Sequence, residues 1–557
     1  MISLSAVLVA FTTEMKQEDR LSILPKIILH HILSRLPEKD AARTSVLSKA
    51  WADTWFTFPI LSISDNKFTG WFPLSIDDVK RKRKKFIDYV TRTLSRFCDQ
   101  GLAIKECKII LNRFELHYMS KHVDLWLKSA SGSGVEVVEL CLPCGPNYIE
   151  EGHGKCYVLP TGVIEAKSLT KVVLKGGIRV DQAFMNQSIK FFSLRVLSLW
   201  IVLLEDEHAI EHLISCCPFI EHITLKHCSV LSPGGGVKLM KSLSMHGLPK
   251  LKTVDVHGIQ EVYIDVPSLE YLYYCHDVLN APYKIHFDSC RNLKGLDLFS
   301  LEGNTITDKW FLELFSKFPF LERLKFVKCT MSETINISSV QLKVLELSGC
   351  HNMKEVNIDA PNLLSCEYII DTQHLEPIIS FVRSSSKLKV DVQIYIDYLD
   401  LGNLKEFLQN IKPENVLTSL SLFIFELTED EFNPAVFQVS SPPPSVKHLH
   451  LHTFPKKETL YSSLLSILLS SCCFATISMR MHPCFCSREF IEFFYETLMR
   501  RKDDCFCSSS DTNCWWHGLK NLKVAHSMKI DENVDFKTLL ESSSISSTPD
   551  ISFRLEF

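Results

Sequence analysis

From residue 169 onward one apolar phrase returns along the chain. Written L-x-x-L-x-L, with Ile, Val, Phe, Tyr or Cys allowed at the L positions, it occurs as LTKVVL from Leu169, LRVLSL from Leu194, IEHITL from Ile220 and LKTVDV from Leu251. It continues as LEYLYY from Leu269, LKGLDL from Leu293, LERLKF from Leu321, LKVLEL from Leu342 and a decayed LLSCEY from Leu363. Successive starts lie 18 to 31 residues apart. Within each phrase apolar and variable positions alternate, which is the period of a strand with one face buried. A repeat of this length predicts one strand and one return segment per unit, stacked so that neighbours bury a common core. DEHAIEHLISCCPF and DKWFLELFSKFPF between phrases read as helical returns.

On that register the two spaced L positions point into the core and their neighbours line the opposite, concave face. The outward residues then include Trp200, Lys226, His257, Tyr271, Tyr273, Phe299, Arg323, Lys325 and Glu346. Aromatics among mixed charges suit a protein-recognition surface, so these are the candidate target-binding residues. Cys228, Cys329 and Cys350 fall where Asn or Cys closes the turn of a leucine-rich repeat. The expected solenoid is irregular, with parallel strands and helical returns.

The stretch before the array has a different period. In LPKIILHHILSRLP, Ile28, Leu29, Ile32, Leu33 and Leu36 recur at steps of one, three and four, predicting a helix between Pro25 and Pro37. A second helix is expected near Asp40, with Ala42, Val46 and Leu47 inward, and a third places Trp51 and Trp55 one turn apart. Three short helices form a core too small for this apolar supply, and a surplus of that kind marks a partner surface.

The pairs Leu24-Pro25, Ile28-Leu29, Ile32-Leu33 and Leu36-Pro37, followed by AARTSVLSKAW and Trp55, resemble the F-box of plant F-box proteins. That resemblance implies a three-helix module docking on a Skp-family adaptor, and through it on a cullin. It implies that Leu24, Pro25, Ile28, Leu29, Leu33, Val46, Leu47 and Trp51 shape or supply the contact. Two departures stand out: Lys26-Ile27 replaces the usual acidic pair, and Ala50 replaces the usual basic residue before the first tryptophan. The rival expectation is a protein-interaction scaffold outside any ligase, in which the helical unit only caps the solenoid.

Residues 62–100 read as a basic linker and helix. VKRKRKKF carries six cations from Lys80 to Lys85, in the manner of a nuclear-import signal or of the solvated face of a helix that buries Phe86, Val90, Leu94 and Phe97. A boundary is expected near residues 400–416. Beyond it, REFIEFFYETLMR and WHGLKNLK resemble the FBD-like C-terminal region of plant F-box/leucine-rich-repeat proteins. The fold class is therefore α/β: an N-terminal extension (1–18), an F-box (19–61), the linker (62–100), a leucine-rich-repeat solenoid (101–400) and an α/β C-terminal extension (401–557).

Bulk composition narrows the function. A net charge of −4 supplies no overall basic field for nucleic acid, and no apolar run reaches the length that crosses a bilayer. The start, MISLSAVLVAFTTEMKQEDR, faintly resembles a secretory signal, but its apolar stretch is short and no cation precedes it, so secretion is not expected. The 20 cysteines are scattered through apolar segments, as small buried hydrophobes of a reducing compartment. An intracellular protein of nucleus and/or cytoplasm is expected. Cys484, Cys486, Cys505, Cys507, Cys514 and His517 have C-x-C spacing, tighter than the two to four intervening residues of structural zinc sites, so no metal or other cofactor is expected. No phosphate-binding loop, G-x-S-x-G elbow or H-E-x-x-H helix occurs. The chain is expected to be a non-catalytic receptor whose target protein the sequence does not name.

Overall fold

The chain divides into two compact units, residues 1–243 and 244–557. A computed structural model describes residues 21, 23–69, 75–143, 156–163, 167–181, 191–232, 236–276, 282–301, 303–370, 378–400, 404–405, 407–408, 417–428, 445–452, 459–480, 488–499, 519–526 and 550–556.

The first unit opens with helices α1 (Lys26–Arg35), α2 (Glu38–Arg43) and α3 (Lys49–Phe56). Pro25 and Pro37 stand at the N-caps of α1 and α2, where the absent N–H removes no helical hydrogen bond. Ser48 caps α3, its Oγ accepting from the Trp51 N–H at 3.2 Å. Leu29, Leu33, Ala41, Trp51 and Phe58 form the core of this module, with Leu24, Ile32, Trp55 and Ile60 packed against it. The buried face is narrower than the spacing predicts, since Ile28 and Leu36 are exposed. Val46 and Leu47, expected inward, instead face solvent at 85% and 67% exposure. The reason is local: Thr44–Val46 is a 3-10 turn between α2 and α3, and it breaks the helical period that the pattern assumes.

A parallel sheet follows in the same unit: β1 (Ile60–Ser64), β2 (Glu106–Ile110), β3 (Val137–Cys141), β4 (Lys171–Lys175), β5 (Val196–Trp200) and β6 (His222–Lys226), each paired with the next. The sheet therefore begins well before residue 101. FPILSI from Phe58, IKECKI from Ile104 and VEVVEL from Val135 carry the same phrase with substituted L positions, all buried. Helices α4 (Ile76–Asp99) and α5 (Leu116–Gly132) lengthen the returns between them, so the short period is hidden. Phe86, Val90, Leu94 and Phe97 are the buried residues of α4, as their spacing predicts. Asp65, at the end of β1, is fully buried, and its carboxylate accepts from the backbone N–H of Asn112, Arg113 and Phe114 at 2.8–3.0 Å. Those charge-assisted bonds tie the loop after β2 to the first rung.

The second unit continues the pattern: β7 (Thr253–His257), β8 (Tyr271–Cys275), β9 (Gly295–Phe299), β10 (Arg323–Val327), β11 (Val344–Ser348), β12 (Ser365–Ile370), β13 (Lys389–Asp400), β14 (Leu417–Thr428), β15 (Ser445–Leu451) and β16 (Cys473–Arg480) pair in parallel, in order. Parallel pairing passes from β13 to β14, so the sheet of this unit extends past residue 400. It ends in two antiparallel strands, β17 (Asn521–His526) and β18 (Asp550–Glu556), with β18 between β16 and β17. Lys252, Glu270, Lys294, Glu322 and Lys343 each stand one residue ahead of consecutive strands and alternate in sign; Glu270 pairs with Lys294 at 2.8 Å and Glu322 with Lys343 at 2.7 Å.

All three apolar positions of the nine phrases from Leu169 to Tyr368 are buried. The returns differ more from expectation. Helices α6 (Ala209–Ser215), α7 (Asp308–Lys317), α8 (Thr459–Ser471) and α9 (Arg488–Met499) occur, but many returns are short second strands. Thr334–Ser338, Glu355–Ala360 and Ile378–Ser384 pair in parallel, as do Glu261–Asp265 and Lys284–His286. Their segments, such as EVYID, TINIS and EVNIDA, alternate β-branched with polar residues and are too short for a helix of useful length.

Seven rungs end in the same turn. The residue after the strand is left-handed at Gly176 (φ 92°), Ile201 (58°), His227 (50°), Gly258 (76°), Ser300 (54°), Lys328 (52°) and Gly349 (55°). There the N–H still reaches the next strand, as from Ile201 to the Lys226 carbonyl at 2.8 Å and from Ser300 to the Val327 carbonyl at 2.7 Å. The expected closing cysteines come next. Cys228, Cys329 and Cys350 are buried, and their thiols donate back to the carbonyls of Leu199, Leu298 and Phe326 at 3.5–3.7 Å.

A left-handed conformation strains any residue with a Cβ, but not glycine. At Gly176 a Cβ would also stand 1.9 Å from the Leu142 carbonyl oxygen. Gly176→Ala should therefore cost more than about 3 kcal/mol, while Ile201→Gly should be neutral or stabilise by up to about 1 kcal/mol. Urea unfolding midpoints of the two variants, which must shift differently, check this.

Candidate functional site

The first candidate surface lies on the three-helix module. Of the residues assigned to adaptor contact, Leu29, Leu33 and Trp51 are core, and Leu24 packs against that core. They set the shape of the module. Pro25, Ile28, Val46 and Leu47 are exposed, and so are Leu21, Ile23 and Ile27. An isolated domain rarely shows so many large apolar side chains in so few residues. At the departure Lys26, the Nζ bridges to Asp53 Oδ2 at 2.8 Å and joins α1 to α3. Ile27 adds one more exposed apolar group. His30 is half-buried, its Nε2 3.2 Å from the Thr54 carbonyl and its ring edge-on to Phe58; burial lowers its pKa.

The second candidate surface is the face of the strands opposite the core. In the first unit, Lys175, Trp200 and Lys226 occupy one register position on β4, β5 and β6. The Trp200 indole lies between the two ammonium groups, 4.8 and 4.9 Å from its ring centre, and its Nε1 donates to Ser198 Oγ at 2.9 Å. Lys175 and Lys108 both reach Glu139, at 3.4 and 3.9 Å.

In the second unit one register row runs Asp255, Tyr273, Asp297, Lys325, Glu346, Glu367 and Asp391. Arg323, one row over, holds the buried Asp297 through two bonds of 3.2 and 3.3 Å, and Lys325 pairs with Glu346. His257 pairs with Asp255 at 2.9 Å and stacks on Phe299, with Lys325 above the same ring. Tyr271 lies over β9 because residue 295 is glycine; a Cβ there would meet its ring at 2.7 Å. None of the selected side chains of this face stands alone: ring, cation and carboxylate brace one another. Asp255, Asp297, Glu367 and Asp391 were not among the residues selected from the sequence. The signal was present, since Asp255, Asp297 and Glu367 fill the same place in their phrases as Lys325 and Glu346.

Burial shapes the titration of this row. It raises the pKa of Asp297 despite Arg323, and it raises that of Glu367, with Glu346 and Asp391 adding to the effect and Lys325 opposing it. The buried thiols are poor nucleophiles for the same reason, with Cys107, Cys228 and Cys366 pushed up to about 12. Among the described residues no group of three His, Cys, Asp or Glu side chains is arranged to hold a metal, and no helix is long and apolar enough to cross a membrane. Cys484, Cys486, Cys505, Cys507, Cys514 and His517 lie outside the described residues.

A helical module with an exposed apolar surface, followed by stacked leucine-rich rungs, defines the architecture of an F-box/leucine-rich-repeat protein. Family models agree: the F-box domain matches residues 21–62, the leucine-rich repeats of FBD-associated F-box protein At5g56370 match 123–302, and the leucine-rich-repeat domain of At1g61320/AtMIF1 matches 281–491. Similar proteins of Arabidopsis thaliana include F-box/LRR-repeat protein At3g58900, 28% identical over 46% of this chain and 73% of that protein. F-box/LRR-repeat protein At3g59200 is 28% identical over 49% of this chain and 48% of its own length, and F-box/FBD/LRR-repeat protein At2g04230 is 27% identical over 52% and 58%. By these matches the chain carries an F-box domain followed by leucine-rich repeats, and it is similar to plant F-box/LRR-repeat and F-box/FBD/LRR-repeat proteins. The matches span about half to three quarters of those relatives' lengths. F-box domains generally bind Skp-family adaptors, and proteins of this family are generally non-catalytic.

A carboxyl whose pKa is raised by folding destabilises the native state when ionised, and that burden is lost as pH falls through the folded value. Glu367→Gln should therefore stabilise the second unit at neutral pH, by less than about 1 kcal/mol because solvent screens a half-exposed group. The gain should shrink as pH falls into the carboxylate range. Urea titrations of variant and parent across that range check it, and a gain independent of pH contradicts it.

Proposed function

We propose that this chain is the substrate-recognition subunit of an SCF-type cullin–RING ubiquitin ligase. Its F-box docks on a Skp-family adaptor, and through it on a cullin, while the strand face opposite the core binds a target protein. The observation that carries the reading is the exposed apolar set Ile27, Ile28, Val46 and Leu47 on a module whose own core is already closed by Leu29, Leu33, Trp51 and Phe58. Such side chains gain roughly 25 cal/mol per Å² when a partner covers them. Target lysines would be held near a charged ubiquitin carrier, so acceleration comes from tethering and raised effective concentration, with no side-chain chemistry asked of this chain.

One observation also favours a capping role. Phe58 belongs to the core of the helical module and Ile60, the first residue of β1, packs on it, so module and sheet share side chains. Deleting the module would therefore disturb the array under either reading. Surface substitution separates them. Val46→Glu with Leu47→Glu replaces two exposed side chains and should leave circular dichroism and the melting temperature unchanged. Capture of a purified Skp-family adaptor by the full chain should fall below detection. Capture equal to the parent's would overturn the assignment of the contact to Val46 and Leu47, and a parent chain that captures no adaptor would leave only the scaffold reading.

A further inference from the structure

Helix α4 carries cations at every position from Lys80 to Lys85 and again at Arg92 and Arg96. Its first buried residue is Phe86, so the segment 76–85 projects with no side chain in the core. Consecutive cations in the first half of a helix are disfavoured twice, by the helix dipole and by mutual repulsion at i, i+4. The chain offsets part of this locally. Ser75 caps the helix, Asp77 lies 3.7 Å from Lys80, Asp78 pairs with Arg81, and the Arg83 guanidinium sits 3.9 Å over the Tyr118 ring.

Lys84, Lys85, Arg92 and Arg96 have no acidic partner among the described residues. On the strands of the same unit several cations are matched: Lys108 and Lys175 by Glu139, Arg179 by Glu205, Arg195 by Glu221. Lys85, Arg92 and Arg96 lie at helical steps of seven and four, on one stripe. With Asp88, Tyr89 and Thr93 of the same helix they border an open, shallow depression along one face of α4. At its end the Arg96 guanidinium covers the Phe56 ring at 5.0 Å, and its Nε has no hydrogen-bond partner. Phe56 is the last residue of α3 and 48% exposed, so the cationic stripe runs directly into the surface of the F-box module.

We propose that Lys85, Arg92 and Arg96 form an electrostatic second arm of the docking surface, receiving an acidic segment of the same adaptor that the F-box holds. The inference rests on the adaptor-docking reading. Charge complementarity sets the sign of the partner surface. Asp88 on the same helix face opposes a uniformly charged phosphate backbone, and the half-exposed rings of Phe56 and Tyr89 offer the apolar contact that a protein segment uses. Charges at the rim of an interface act mainly on the association rate and on its salt dependence.

The test uses the full chain and a purified Skp-family adaptor, with association rates measured at low and high ionic strength. Lys85→Glu with Arg92→Glu changes exposed residues only and leaves Arg96 on Phe56 undisturbed. Expected is a loss of about tenfold in association rate at low salt, largely erased at high salt where the charges are screened. A variant rate equal to the parent's at low salt overturns the second arm while leaving F-box docking intact. A parent chain that binds no adaptor at either salt overturns the docking reading, and this inference with it.

Discussion

No single rung of this protein can bury its own leucines. A strand of five residues with a short return has an apolar face and nothing to cover it except the next rung, so the stack depends on neighbours repeating the same inward positions. Parallel pairing keeps those positions in line: Leu272, Leu296, Leu324, Leu345 and Cys366 are register partners from β8 to β12. Slipping one strand by a residue would turn its whole apolar set to solvent. The alternating edge charges from Lys252 to Lys343 reinforce that alignment, each weakly because they are exposed.

The left-handed turn at the end of seven strands follows from the same demand. The chain must leave the sheet within one residue, yet that residue's N–H must still meet the next strand. At these seven positions the left-handed conformation does both, whereas Leu111, Leu142 and His276 make the same bond to the next strand without it. Glycine adopts it freely at 176, 258 and 349, whereas Ile201 adopts it under strain. The buried cysteine after the turn fits where a larger side chain would crowd the core, and its thiol answers a carbonyl of the preceding rung. Structural repetition therefore reaches down to single hydrogen bonds, and it leaves the opposite face free to vary in charge and aromatic content.

That face and the F-box surface are built by different logic. On the strands, carboxylates, cations and rings brace one another, as Arg323 does Asp297 and as Lys175 and Lys226 do Trp200. Such bracing fixes the side chains, so that little further conformational entropy remains to be lost there. On the F-box, Val46 and Leu47 are simply exposed. Their presentation depends on a closed core beneath them, and Trp51, one of the residues tied to docking by resemblance, works from inside that core.

Local sequence determined much of this. Alternation within L-x-x-L-x-L identified strands and their buried side, because a side chain's direction along a strand depends only on position. The same rule extends to FPILSI, IKECKI and VEVVEL, which fixed spacing obscured since α4 and α5 lengthen their returns. What needed tertiary structure was anything set by two segments at once. The short returns become strands only because a neighbouring return pairs with them, and Asp65 is buried only because the loop after β2 brings three N–H groups to it; the outward turn of Val46 and Leu47 is local, a 3-10 turn that simple helical periodicity does not register. Periodicity reports the environment of one element, whereas the paired returns and the buried Asp65 belong to contacts between elements far apart in the chain.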